Sequence, residues 1–206
     1  MKIQNIQNYA FNKPNFTSNK TYSILGASSV PKNEDGKNEL LNYMQMASDF
    51  TKTLVQGGNS IITGCGDKGI MGAAYYSAYN NGSKEQNKVF IMQPEWGDED
   101  KEHCKILGYT TSEAERIQKF KENSDAMVIF PGSCGTMQEL TTLISENYYS
   151  KTKKPVILVG KKFFEGIDSQ YQNMLENGYL SKVKSTDELY KIVDSLDELK
   201  ETIKEN

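Results

Sequence analysis

Residues 125–140 constrain this chain more than any other stretch. Five apolar residues, 126–130, end abruptly at Pro131-Gly132, which reads as a buried parallel strand running into a tight turn. Gly135-Thr136 then opens an expected helix whose buried face would be Leu140, Leu143 and Ile144. Strand, glycine turn and helix N-terminus together make an anion site, because unpaired backbone N–H groups and the positive end of the helix dipole face one point. Thr136 adds a hydroxyl there, and Glu139 is expected on the first helical turn behind it. A phosphate held beside a carboxylate suits work on a phosphorylated sugar. The same residues, Thr136-Met137-Gln138-Glu139, also spell a capping box, in which the threonine caps the helix and the glutamate reaches back to the cap N–H. On this stretch alone the structural and the chemical reading both stand.

Strand-like and helix-like segments alternate along the rest of the chain. Strands are expected at 22–26, 60–63, 88–92, 155–159 and, on an edge, 189–193. Helices are expected over about 38–55, from near Gly69, from the capping box Ser112 to Glu115, over about 163–177, and from Ser195 onward. Residues 93–111 read as a long polar loop holding Trp96 and His103, and residues 1–20 as an N-terminal arm. This alternation predicts an α/β fold: a doubly wound, Rossmann-like parallel sheet with helices on both faces, forming one nucleotide-phosphate-binding domain over 21–206.

In such sheets ligands sit outside the carboxyl ends of the strands. Three turns rich in small residues fall there: 26–29 with Ser28 and Ser29, 64–72 with Gly64, Gly66 and Gly69, and 131–136 with Gly132, Ser133 and Gly135. Gly64, Gly66 and Gly69 have the spacing of a dinucleotide fingerprint, but the strand at 88–92 ends in Gln93-Pro94, without an acidic residue to hold a ribose. The turn therefore reads as a close approach of backbone to ligand and not as a NAD site. Convergence of the three turns on one edge makes a nucleotide phosphate the expected ligand.

Charge narrows the partners. With 24 Lys and Arg against 27 Asp and Glu there is no basic stripe, and nucleic-acid binding driven by phosphate neutralisation is not expected. No apolar run approaches a membrane span and no apolar leader is evident, so no membrane partner is expected. Three widely spaced cysteines argue against a disulfide framework and for a reducing cytoplasm. Cys65, Cys104, Cys134 and the single His103 lack zinc-ligand spacing, and no metal is expected.

These motifs resemble the Lonely Guy family of phosphoribohydrolases, also labelled possible lysine decarboxylase. The family's Pro-Gly-Gly-x-Gly-Thr-x-x-Glu motif is similar to Pro131-Gly132-Ser133-Cys134-Gly135-Thr136-Met137-Gln138-Glu139. Its glycine turn ending Gly-Leu-Met-Gly resembles Gly69-Ile70-Met71-Gly72 behind Gly64 and Gly66. Its Arg-Lys pair ahead of Ser-Asp-Ala-Phe resembles Arg116-Ile117 ahead of Ser124-Asp125-Ala126-Met127, and its first Gly-Ser-Ser turn resembles Gly26-Ala27-Ser28-Ser29. The resemblance runs over about residues 21–200. Ser133 stands where the family has its second glycine, Ile117 where it has lysine, and Glu113-Ala114 where it usually has Met-His.

The resemblance implies hydrolysis of the N-glycosidic bond of a nucleoside 5′-monophosphate, AMP or an N6-substituted AMP, to free base and ribose 5-phosphate. It implies Arg116 and Glu139 as the catalytic pair. Ser28, Ser29, Gly64, Gly66, Gly69, Met71, Gly132, Ser133, Gly135 and Thr136 would bind the substrate. The chemistry is coherent: cleavage builds positive charge at the anomeric carbon, which a fixed carboxylate stabilises or captures. An arginine beside it can orient that carboxylate through a two-pronged hydrogen bond. No cofactor is called for, and no motif for a Schiff-base lysine supports the decarboxylase label. A homodimer is also implied, with Leu143 and Ile144 beside Tyr148 and Tyr149 as a candidate interface. The alternative is a non-catalytic nucleotide or molybdenum-cofactor carrier on the same fold.

Overall fold

The computed structural model describes residues 19–64, 66–92 and 103–204. Most of the expected arm (1–18), Cys65, and the part of the polar loop that holds Trp96 (93–102) lie outside the described residues. The chain runs β1 (Thr21–Leu25), α1 (Glu34–Gln56), β2 (Ser60–Thr63), α2 (Gly69–Asn81), β3 (Asn87–Met92), β4 (Lys105–Thr110), α3 (Glu113–Asn123), β5 (Ala126–Ile129), α4 (Cys134–Tyr149), β6 (Val156–Val159), α5 (Lys161–Glu176), β7 (Lys191–Val193) and α6 (Leu196–Lys204). The strands form one sheet in the order β4-β3-β2-β1-β5-β6-β7, and every neighbouring pair is parallel. This is the doubly wound α/β fold that the alternation predicts.

Burial on both sheet faces explains the near-continuous apolar strands. Alternate side chains serve opposite faces. Tyr22, Ile24, Ala126 and Val128 pack with α1, α2 and α6. Leu25, Met127 and Ile129 pack with Ile117 and Phe120 of α3, Leu140, Leu143 and Ile144 of α4, and Phe164 of α5. Leu143 and Ile144 are each only 1% exposed, so they belong to the core and do not supply an interface between copies. On that helix it is Tyr149 that stands out, at 69% exposed.

Three local expectations are corrected. Helix α1 starts at Glu34 and not near 38, because Asn33 caps it: its side chain accepts from the Gly36 N–H at 2.8 Å. The segment read as loop up to 111 contains edge strand β4, whose residues are mostly exposed or half-buried and so show no alternation to detect. Helix α4 is capped at Ser133, which leaves Thr136 inside the first turn and Glu139 on the second. The capping box therefore does not form. The two flanking boxes do supply their Ser caps, Ser112 to Glu115 N and Ser195 to Glu198 N, each at 3.2 Å.

From β1 the chain winds outward to β2, β3 and β4, then crosses to β5 on the other side. The carboxyl ends of β1 and β5 therefore flank the switch point at which such sheets bind ligands. Backbone bonds lace the turns there. The Ala27 N–H donates to the Pro131 carbonyl at 3.0 Å, and the Ala27 carbonyl accepts from the Ile70 N–H at 2.7 Å. Gly69 makes the second bond feasible: its φ is +59°, and a Cβ there would overlap the Ala27 carbonyl oxygen. Gly69→Ala is expected to cost on the order of 2–4 kcal/mol. Urea unfolding measures this, and a loss below about 0.5 kcal/mol, the scale of an ordinary surface change, would show that the turn is not locked in this way.

Candidate active site

The site begins with the first turn of α4. Its leading N–H groups have no acceptor within the helix and carry the positive end of the dipole. Ser133, Cys134 and Gly135 are exposed there, whereas Thr136 is buried. Gly132 lets the turn close: a Cβ would overlap Thr136 Oγ1 and lie 3.0 Å from the Ala27 nitrogen. Gly135 is different, because a Cβ on it would meet nothing within 4 Å. Packing among the described residues therefore does not require glycine at 135.

The second turn of α4 brings in Glu139, 7% exposed. Its carboxyl accepts no hydrogen bond among the described residues. Burial pushes it up to about 7; the Arg116 guanidinium pulls it down and the Glu113 carboxylate pushes it up. Arg116 reaches the same region from α3 and is 8% exposed. Its fork does not engage Glu139 as expected. Nη2 lies 2.7 and 2.8 Å from the two Glu113 oxygens and Nε lies 3.1 Å from Oε2. The guanidinium carbon stands 5.8 Å from the centre of the Phe120 ring, within cation–π range.

Arg116 also meets the β2–α2 turn. A Cβ on Gly64 would lie 3.2 Å from both Arg116 Nη1 and Met71 Sδ, and one on Gly66 would lie 3.0 Å from Met71 Cε and 3.8 Å from Ser28 Cβ. Gly64, Gly66, Met71, Ser28 and Arg116 thus form one flank, while Gly132, Ser133, Gly135 and Thr136 form the floor. Ser29 lies apart from the arginine. With Ser133, Ala27, Pro31, Tyr43 and Phe163 it lines a cavity of about 310 Å³ that neither Arg116 nor Glu139 borders. A larger cavity of about 500 Å³, beside Asp168, Gln172 and Tyr190, contains none of the candidate residues, and we place the chemistry at the strand ends because the carboxylate and the helix N-terminus meet there. Among the described residues no three His, Cys, Asp or Glu side chains group to hold a metal ion, and no helix is long and apolar enough to cross a membrane. Sequence reasoning missed Glu113, Tyr43 and Phe163; for Glu113 the signal was its i,i+3 spacing to Arg116 on a helix.

Comparison with known proteins agrees with these motifs. A family model described as possible lysine decarboxylase matches residues 71–203. A cytokinin riboside 5′-monophosphate phosphoribohydrolase of Mycobacterium tuberculosis is 25% identical over 141 residues, 67% of this chain and 74% of that protein. A protein of the same name from Mycobacterium marinum is 23% identical over 158 residues, 75% of this chain and 82% of that one. Among solved structures, the Moco carrier protein from Chlamydomonas reinhardtii superposes with a TM-score of 0.60 at 18% identity, covering 91% of this chain and 96% of that one. The molybdenum cofactor binding protein from Rippkaea orientalis does so with 0.59 at 17% identity, covering 92% and 98%. At such identities the structural likeness is one of fold.

The raised Glu139 carboxyl ties the site to stability. A carboxyl whose value rises on folding holds its proton more tightly in the folded state. Its contribution is complete below the ordinary value of 4.5 and is lost as pH rises through about 7. Between about pH 5 and 8 the parent should lose on the order of 2–3 kcal/mol from this group. Glu139→Gln has nothing to ionise and should escape that loss. Urea unfolding of both proteins at the two pH values checks this; equal losses would show that Glu139 titrates near its ordinary value.

Proposed function

The chain belongs to the possible lysine decarboxylase family, and from the meeting of a buried carboxylate with a helix N-terminus we propose that it is a phosphoribohydrolase. Its substrate is a nucleoside 5′-monophosphate, AMP or an N6-substituted AMP, and its products are free base and ribose 5-phosphate. One observation carries the reading: Glu139 sits buried, and without a hydrogen-bond partner among the described residues, on the second turn of the helix whose first turn offers free N–H groups. A phosphate seated on the first turn holds the ribose, so that binding energy from the unreactive end positions the reacting one. As the bond from C1′ to the base nitrogen breaks, the base leaves with the electron pair and positive charge develops on the sugar. That charge favours the ionised form of Glu139, which stabilises it until water adds to C1′; the proton that the water gives up balances the one taken by the departing base. The named activity of the two mycobacterial relatives supports this reading.

Carriage of a molybdenum cofactor is the second reading, favoured by the fold shared with the Chlamydomonas and Rippkaea proteins. An unpaired carboxylate next to a phosphate seat argues for the enzyme, since a carrier of a phosphorylated ligand would be weakened by it. The proposal treats 21–206 as one domain, needs no cofactor, and places the protein in the cytoplasm as a homodimer, on the strength of the family resemblance.

The enzyme should release adenine from AMP and not from adenosine, which lacks the group that α4 holds. Glu139→Gln should lose a factor on the order of 10² or more in turnover, the scale of removing one electrostatic stabiliser, while keeping most nucleotide affinity. Chromatographic measurement of free adenine checks both. Turnover of AMP by Glu139→Gln at the parent rate would remove Glu139 from the mechanism, and tight nucleotide binding without adenine release by the parent would favour the carrier.

A further inference from the structure

Among the described residues the site brings together two carboxylates and one guanidinium, and the Nε–Nη2 edge of the guanidinium is committed to one of them. Both Glu113 oxygens lie within hydrogen-bond distance of Arg116, at 2.7 to 3.1 Å. The pair is partly buried, with the Arg116 side chain 10% and the Glu113 side chain 33% exposed. An ordinary i,i+3 pair on a helix surface holds its partners loosely and contributes only a few tenths of a kcal/mol. Here the guanidinium is enclosed. Phe120 lies beside it, and Gly64 approaches its Nη1 side so closely that a Cβ there would lie 3.2 Å away.

We infer that Glu113 is a positioning residue for the cleavage: by taking the Nε–Nη2 edge of Arg116 it fixes the guanidinium away from Glu139 and leaves the Glu139 carboxyl open to the sugar. The inference rests on the phosphoribohydrolase reading and deepens it. Were the fork free, the bidentate pair most favoured by guanidinium geometry would be with the nearby Glu139 carboxylate, and a carboxylate so paired would be a weaker partner for a developing cation. Glu113 prevents this in two ways, by occupying the fork and by adding a second negative charge. Among the described residues, Arg116 and Glu113 are the charged groups that act on Glu139. The facing β2–α2 turn carries Asp67 and Lys68, both exposed, and the neighbours of Glu139 on α4, Gln138 and Leu140, are uncharged. The titration of Glu139 therefore reports on what Glu113 does. Glu113 stands outside the residues by which the chain resembles its family, where methionine is usual at this position.

Two variants test it. Glu113→Gln keeps an oxygen for Arg116 but removes the charge, and Glu113→Met removes both. The titration midpoint of Glu139 is read directly on the ligand-free protein by NMR of carboxyl-labelled glutamate, with Glu139→Gln identifying the signal. In both variants the midpoint should fall, in Glu113→Met by about one pH unit or more, the scale for a carboxyl gaining an arginine partner. The acid limb of the pH profile of kcat/KM for AMP should move with it, and kcat should fall while KM changes little. A merely structural pair would lower the melting temperature and shift the midpoint equally in both variants, by the loss of charge alone. A midpoint that is unchanged, raised, or lowered equally in both variants overturns the inference. If the parent does not cleave AMP the phosphoribohydrolase reading falls, and the midpoint on the free protein still decides whether Glu113 keeps Arg116 from Glu139.

Discussion

The peptide groups of Ala27 hold the functional edge together. One donates to the Pro131 carbonyl and the other accepts from the Ile70 N–H, so the ends of β1 and β5 and the start of α2 are tied at a single residue. These bonds need close backbone approach, and Gly69 and Gly132 are the residues that permit it, each at a point where a Cβ would overlap a neighbour. The consequence is geometric. With the turns fixed to one another, the N-terminus of α4 and the β2–α2 turn keep a constant separation, and Arg116 is packed against the latter. Side chains that act on one small ligand from different elements are placed by backbone, not by their own flexibility.

Electrostatics in this edge are deliberately unbalanced. A buried carboxyl without a hydrogen-bond donor is unfavourable wherever it occurs, and among the described residues the cation that acts on Glu139, Arg116, is already engaged with Glu113. Folding tolerates Glu139 because the same helix also buries Leu140, Leu143 and Ile144, each at most 1% exposed. Core and site thus share one helix, one face supplying stability and the first two turns spending some of it. Such local strain is common where chemistry is done.

The sequence made the fold legible where packing imposes a period. Uniformly apolar strands β1, β5 and β6 and the spaced Leu and Phe of α1 declared themselves because both sheet faces are buried. Strand β4 was hidden for the opposite reason: at the edge its residues touch little, so nothing selects an alternation. The three small-residue turns were legible by type and spacing, and they do meet. The pairings of the site's side chains were not. Thr136-Met137-Gln138-Glu139 has the spelling of a capping box, but the helix starts at Ser133, three residues earlier than the box needs, and the glutamate is carried inward. Likewise Arg116 was expected on Glu139, although Glu113 one turn away on its own helix reaches it at lower entropic cost. Motif spelling places a residue near a site; which neighbour it pairs with depends on helix phase, and a shift of three residues is enough to change it.

Gly135 shows what that means for anyone altering the protein. It lies in the first turn of α4, where alanine is preferred over glycine by at most about 1 kcal/mol, and among the described residues nothing lies within 4 Å of a Cβ there to oppose the exchange. A search for thermostable variants would select that substitution early. If α4 seats the phosphate as proposed, the methyl group would be added on that exposed turn, and at position 135 robustness and use would then pull in opposite directions.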